Sequence, residues 1–318
     1  MILALVGPTG IGKTEATIAL ASRLPSEIVV VDSMQVYRGM DIGTGKPSPD
    51  IRQEVPHHGI DLVEPEEEFD AARYARTMRP AVEGILRRER CPILVGGCGL
   101  YFRALVDGLC PAPAKDPFVR DGLLQELKDR GSAKLHTRLG LVDPESAGRI
   151  HPNDWKKIVR ALEVFTVTRR PISDWQREDS PSFKNRRFGR EEIFWIGLTL
   201  PRALLYRRIE DRIDRWISQG WLEEARRLSC RNLSMTAGEA LGYRELFSYL
   251  EGDLSWEETT ALIKRNTRRY AKRQETWFRA DKRIRWISPK PESPQETADR
   301  ILEEIPRDVP IAQWNGLF

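Results

Sequence analysis

Short apolar runs alternate along the chain with stretches whose apolar residues recur at helical spacing. The runs lie at 2–6 (ILALV), 27–31 (EIVVV), 92–95, 192–198 (EIFWIGL) and 284–287, each bounded by polar or glycine-rich sequence. Their length and β-branched content read as buried strands. A periodic stretch over 14–24 follows the first run and reads as a helix. Strands alternating with helices predict an α/β fold with a parallel sheet. From 111 to 190 the pattern is helical, with no convincing core strand. Pro111, Pro113 and Pro117 punctuate its start, and Ser180, Pro181, Lys184, Arg186 and Arg187 mark a polar exit. Residues 111–190 are therefore expected to form a helical insertion in a core built from 1–110 and 191–318. Ser255 and Glu258 make a capping box that opens a helix running to about residue 280. Pro289, Pro291 and Pro294 predict an irregular stretch before a last short helix.

Composition narrows the class without fixing the activity. The 318 residues suffice for one large or two medium domains. No apolar run approaches the ~20 residues of a membrane helix. The run at 2–6 is too short for a signal peptide and lacks a basic start, so a cytoplasmic protein is expected. A net charge of +4 is only mildly basic and does not by itself imply nucleic acid. The four cysteines form no CxxC pair and the four histidines have no zinc-finger spacing. A structural zinc site is not expected. His57 and His58 are adjacent, and adjacent residues of a strand point to opposite faces, so they would not share a metal.

Candidate chemistry begins between the first strand and the first helix. Gly7-Pro8-Thr9-Gly10-Ile11-Gly12-Lys13-Thr14 matches GxxxxGK[ST], the pattern of a nucleotide-binding, commonly ATP-binding, loop. Its glycines let backbone N–H groups turn toward phosphate oxygens, and the helix N-terminus adds positive potential. Lys13 adds a point charge, and the Thr14 hydroxyl is placed for Mg²⁺. Such a loop reads phosphate and not the rest of a ligand. A triphosphate-cleaving enzyme usually carries an acid on a neighbouring strand, whereas the strand at 92–95 ends in Gly96-Gly97. Asp32 is the carboxylate at a core strand end facing the loop. It could be a metal-shell acid or a base acting on an acceptor.

Further motifs follow in order: Asp32-Ser33-Met34-Gln35-Val36-Tyr37, Ile42-Gly43-Thr44-Gly45-Lys46-Pro47, His57-His58 with Ile60-Asp61, and Val95-Gly96-Gly97-Cys98-Gly99-Leu100-Tyr101. Asn153-Asp154, Arg160-Ala161-Leu162-Glu163, Thr267-Arg268-Arg269-Tyr270-Ala271-Lys272-Arg273-Gln274 and Trp277-Phe278-Arg279 complete the series. With the phosphate loop, this set resembles the tRNA dimethylallyltransferase (tRNA isopentenyltransferase) family over nearly the whole chain. The resemblance implies a P-loop parallel sheet core flanked by helices, with a helical insertion that grips the anticodon stem-loop. It implies that the exocyclic amine of the adenosine 3′ of the anticodon attacks dimethylallyl diphosphate, with Mg²⁺ and without ATP. Family members often act as monomers, and a monomer is expected.

The resemblance also implies residue roles. Arg208 and Arg212 would join the loop on the diphosphate; with Arg215 they share one helical face. Asp32, Ser33, Met34, Gln35 and Cys98 would meet the acceptor. Arg120, Lys156, Lys157, Ile158, Val159 and Arg160 of the insertion would contact tRNA, as would Arg268, Arg269, Lys272 and Arg273. The last four continue a stripe begun by Arg265 at helical spacing, with few acids between Lys264 and Arg273. The chain departs from the family at four places: Gly10-Ile11 stand where GPTASGK has Ala-Ser, Gly45 where alanine is usual, Cys98 where GGT has threonine, and Lys156-Lys157 where Gln-Arg is common.

An adenine amine is a poor nucleophile, and a base that takes its proton as the bond forms would help. Asp32 is the expected base; the competing reading is a structural aspartate that caps the following segment. The target base must leave the loop stack to react. Cys98 is not expected to act as a nucleophile, because no histidine is placed to activate it. Three other readings compete: a P-loop kinase of a small metabolite, a nucleotide-dependent RNA-binding protein, and an adenylate dimethylallyltransferase.

Overall fold

The computed structural model describes residues 1–177, 188, 192–290 and 292–305. These divide into two compact units, one of residues 1–106 with 188–318, the other of 107–187.

The first unit is built on a parallel sheet, of six strands among the described residues: β1 (Ile2–Val6), β2 (Ser26–Val31), β3 (His57–His58), β4 (Cys91–Gly96), β5 (Ile193–Leu198) and β6 (Arg285–Ile287). Their order is β3-β2-β4-β1-β5-β6. β1 sits between β4 and β5, with Leu3 opposite Ile93 and Phe194. Every residue of β1, β2 and β4 is buried, as expected of parallel strands covered on both faces. α1 (Lys13–Ala21) follows β1, α2 (Pro49–Glu54) precedes β3, α3 (Ala71–Arg87) precedes β4, and α4 (Gly99–Val106) follows it. The runs read from sequence become strands within a residue or two. β3 is the exception: two residues have no periodicity to detect, and only their pairing with Ile28 and Val29 defines the strand.

The second unit is helical among its described residues. α5 (Pro117–Val142), α6 (Pro144–Arg149), α7 (Trp155–Thr168) and α8 (Ile172–Arg177) close around Leu123, Leu135, Leu139, Ile158, Val159 and Leu162. Asp116, Asp143 and Asp154 cap the first three by accepting backbone N–H groups. The expected polar exit at 180–187 lies outside the described residues.

The remaining helices belong to the first unit: α9 (Arg202–Ser218), α10 (Trp221–Ser229), α11 (Met235–Gly238), α12 (Tyr243–Leu250), α13 (Trp256–Arg279) and α14 (Pro294–Glu303). α13 opens with the Ser255–Glu258 capping box, both reciprocal bonds being present. No helix among the described residues is long and apolar enough to cross a membrane.

Candidate active site

The carboxyl ends of β1, β2 and β4 open into a cavity of about 570 Å³. Ligands of open parallel sheets bind at this end of the strands. Its floor is the loop from Thr9 to Thr14, and its walls include Asp32, Gln35, residues 44–48, Gly96, Gly97, Tyr270 and Gln274. Arg208, Arg212 and Arg215 of α9 line it together.

The loop is held in shape by its own lysine and by two distant helices. Gly10 and Gly12 take φ of 81° and 102°, a region that favours glycine. Lys13 Nζ donates to Gly7 O at 2.9 Å and Pro8 O at 2.8 Å. Burial, then the like charge of Arg212, pulls the Lys13 ammonium down to about 7 against the opposing charges of Asp32 and Glu15. Arg208 Nε donates to Gly10 O at 3.0 Å, and Arg212 donates to Thr9 Oγ1. Arg212 lies over the Trp216 ring at 4.4 Å, and its buried Nε has no partner. Burial, opposed by Glu15 and reinforced by Arg215 and Arg208, lowers it to about 10, so it remains a cation at neutral pH. Ile11 is fully buried, so this position gives the cavity backbone and no hydroxyl. Thr14 is exposed on the cavity wall.

Asp32 follows β2 and caps the next turn: Oδ1 accepts Met34 N–H at 2.8 Å and Gln35 N–H at 3.3 Å. Oδ2 takes part in neither bond. Capping and a role in the cavity are therefore compatible, one oxygen serving the turn. Gln35 also lines the cavity, with Nε2 donating to Thr44 O at 3.1 Å and a buried Oε1 without a partner. Ser33, Met34 and Cys98 do not line it. Burial, with Asp32 adding its charge, pushes the Cys98 thiol up to about 11. At neutral pH it is a thiol, which is a poor nucleophile.

The sequence assigns no role to three contributors, although Tyr270 and Gln274 stand in one of its motifs. Glu224 of α10 is buried and accepts the N–H groups of Asp41 (3.0 Å), Ile42 (3.0 and 3.1 Å) and Gly43 (3.3 Å), and the Tyr243 hydroxyl at 2.5 Å. It pins the loop that carries Thr44 and Gly45 into the cavity. Gln274 of α13 joins the phosphate loop to the end of β4, accepting from Thr9 N–H and donating to Gly97 O, both at 2.9 Å. This explains why β4 ends without an acid. A Cβ at Gly96 would lie 2.0 Å from Val31 O, and one at Gly97 would lie 2.2 Å from Gln274 Nε2. Tyr270 completes the wall beside Asp32, whose charge, after burial, raises the phenol's pKa.

The other expected RNA contacts divide by environment. Ile158 and Val159 are fully buried in the core of the helical unit, so their side chains are withheld from any RNA. They fall on the inward face of α7, a consequence of helical periodicity that the neighbouring basic residues obscure. Arg160 and Arg120 both pair with buried Glu163, at 2.8 Å and 3.5 Å. Arg160 also donates to Pro113 O at 2.6 Å. Both arginines thus hold their own unit together as well as being partly exposed. Lys156 and Lys157 are exposed, and Lys157 pairs with Asp154 at 2.6 Å. On α13, Arg265, Arg269, Lys272 and Arg273 are exposed, while Arg268 pairs with Glu210 of α9. That acid comes from another helix, so the stripe's own sequence does not show it.

Oxygen donors on the cavity lining include the Thr14 hydroxyl and the carboxylates of Glu15, Asp32 and Asp211. No group of three His, Cys, Asp or Glu among the described residues could hold one alone. That set fits Mg²⁺, which commonly binds through one or two protein oxygens plus substrate phosphates.

The IPP transferase family pattern matches residues 35–281. The tRNA dimethylallyltransferase of Symbiobacterium thermophilum is 46% identical over 318 residues, covering 99% of this chain and 98% of the relative. That of Syntrophobacter fumaroxidans is 47% identical over 324 residues, covering 99% and 90%. Among solved structures, the full-length tRNA isopentenylpyrophosphate transferase of Bacillus halodurans superposes with a TM-score of 0.67 at 36% identity, covering 95% of each chain. A eukaryotic dimethylallyltransferase, captured acting on tRNA, gives a TM-score of 0.73 at 27% identity, covering 90% of this chain and 73% of its own. The sheet, the loop, the cavity and these likenesses agree: the chain belongs to the tRNA dimethylallyltransferase family.

Proposed function

We propose that this chain is a tRNA dimethylallyltransferase that joins the dimethylallyl group of dimethylallyl diphosphate to the exocyclic amine of the adenosine 3′ of the anticodon. The observation that carries this reading is one cavity in which a phosphate loop with three arginines faces a strand-end carboxylate. Cations for a leaving diphosphate and a base for an attacking amine thus share one space.

The adenine amine forms a bond to the allylic carbon while the carbon–oxygen bond to diphosphate breaks. Asp32 takes the amine proton through the oxygen that is free of the turn. Lys13, Arg208 and Arg212 stabilise the negative charge that grows on the leaving group. Thr14 would hold Mg²⁺ together with diphosphate oxygens, and the ion when bound would supply further charge neutralisation. Cys98 needs no covalent role in such a direct displacement.

The deciding experiment mixes purified protein, Mg²⁺ and unmodified tRNA with either dimethylallyl diphosphate or ATP, then digests the RNA for mass spectrometry. Prenylated adenosine is expected with the first donor only. Absence of prenylation, together with phosphate transfer or robust ATP hydrolysis, would shift the reading to a kinase or an RNA-binding ATPase.

Exposed cations on both units are suited to RNA phosphates. Neutralising Arg269 and Lys272 is expected to weaken binding of all substrate tRNAs alike. It should also flatten the dependence of log affinity on log salt, by about 0.7–0.9 for each phosphate that no longer meets a cation. An unchanged slope would mean that these side chains are only solvated. The same substitution at Arg268 should also remove its ion pair with Glu210, at a cost of at most about 1 kcal/mol because both side chains are partly exposed.

A further inference from the structure

Gln274 is 6% exposed, and both ends of its amide are used. Oε1 accepts Thr9 N–H and Nε2 donates to Gly97 O, each at 2.9 Å. The arrangement is self-consistent in one orientation only, since a flipped amide would set NH₂ against N–H and oxygen against oxygen. Gly97 leaves the room for it, because any Cβ there would meet Nε2 at 2.2 Å. The Thr9 hydroxyl is engaged as well, by Arg212.

A phosphate loop binds by offering unsatisfied N–H groups to anionic oxygens. Thr9 has no such group to offer. Its N–H is already satisfied, and the amide oxygen that satisfies it carries partial negative charge that opposes an additional phosphate. The N–H groups of Lys13 and Thr14, in the first turn of α1, have no intrahelical partners. Lys13 Nζ is turned back to Gly7 O and Pro8 O. The backbone donors of the cradle are thus open toward α1 and closed at Thr9.

We propose that Gln274 is a specificity-determining residue: by capping Thr9 N–H it removes one backbone donor from the loop, which restricts the cradle to a diphosphate and disfavours a triphosphate. The inference rests on the donor reading above and adds the residue that enforces it. The same helix, α13, carries the exposed cations Arg269, Lys272 and Arg273, so the RNA-facing and donor-selecting parts of the protein are one rigid element.

The test uses the full chain with Mg²⁺ and two probes, inorganic diphosphate and inorganic tripolyphosphate, with affinities read by calorimetry. In the unaltered protein tripolyphosphate should bind no tighter than diphosphate despite its extra charge. Gln274→Met, similar in volume but without the amide, should shift the affinity ratio toward tripolyphosphate by about tenfold or more, the worth of one charge-assisted hydrogen bond. Gln274→Glu keeps an acceptor for Thr9 N–H and loses the donor to Gly97 O. It should weaken both probes while holding the ratio or moving it toward diphosphate. Thermal melting checks that each variant folds. A folded Gln274→Met with an unchanged ratio, both affinities falling together, would show a purely structural role and overturn the proposal. If Gln274→Met does not fold, Gln274→Glu decides: a retained ratio supports the proposal and a shift toward tripolyphosphate overturns it. Prenylation by the unaltered protein is scored separately. Its absence sinks the donor reading, whereas intact prenylation with an unmoved ratio in Gln274→Met sinks this inference alone.

Discussion

Asp32→Asn is expected to lower the single-turnover rate of prenyl transfer about 10²-fold or more while leaving tRNA affinity largely intact. The substitution is informative because asparagine keeps an Oδ1 that can accept the Met34 and Gln35 N–H groups, so the turn after β2 has no reason to change. What disappears is the negative charge and the ability to take a proton. That charge reaches groups in and beside the cavity: it helps to raise Cys98 and Tyr270 and to keep the Lys13 ammonium protonated. Rapid-quench measurement with saturating tRNA and donor isolates the chemical step from product release. A near-normal rate for Asp32→Asn would remove Asp32 from the role of base and leave it a cap.

Lys13→Ala is expected to reduce kcat/KM by about 10²–10³-fold, the usual cost of deleting one preorganised group that stabilises transition-state charge. A pH signature distinguishes this from general damage. Burial and Arg212 hold the Lys13 ammonium near 7, far below the ordinary lysine value. An arriving diphosphate favours the charged form, so binding takes up a proton wherever the free lysine is neutral. Donor affinity in the unaltered protein should therefore weaken as pH rises above about 7, by at most tenfold per pH unit. The dependence should be much shallower in Lys13→Ala. The sign for folding runs the other way. Between about 7 and the unfolded lysine value the unfolded chain binds more protons than the folded one. Stability should therefore rise with pH across that window in the unaltered protein relative to Lys13→Ala. Calorimetry and thermal melts between pH 7 and 9 read both. Parallel pH profiles for the two proteins would mean that Lys13 is not the titrating group.

Much of the scaffold was legible because it is written locally. Parallel strands covered on both faces must be apolar at every position, so β1, β2 and β4 stand out as unbroken runs. The phosphate loop is legible because consecutive residues build it, with glycine where φ is positive and lysine one helical step away. The capping box is a bond between residues three apart. The motif set also sufficed to assign the family, since those motifs occur in order along the chain.

What the tertiary structure alone decided are partnerships between distant residues. Gln274 and Thr9 are 265 positions apart, and Glu224 reaches Asp41 across 183. No periodicity or spacing encodes such pairs, because a buried glutamine or glutamate is defined by what the fold brings to it. The same holds for charge. A basic stripe shows cations without their neighbours, and only the packing of α9 against α13 gives Arg268 its partner Glu210, 58 positions away. The resemblance places Ile158 and Val159 on the RNA surface, and the inward face of α7 claims both side chains for the core. The sequence by itself therefore determined which residues could carry phosphate chemistry and where the strands would run. The fold decided which of those groups face the cavity, which hold its walls, and which are spent inside their own unit, because burial and pairing are properties of surroundings that only a folded chain possesses.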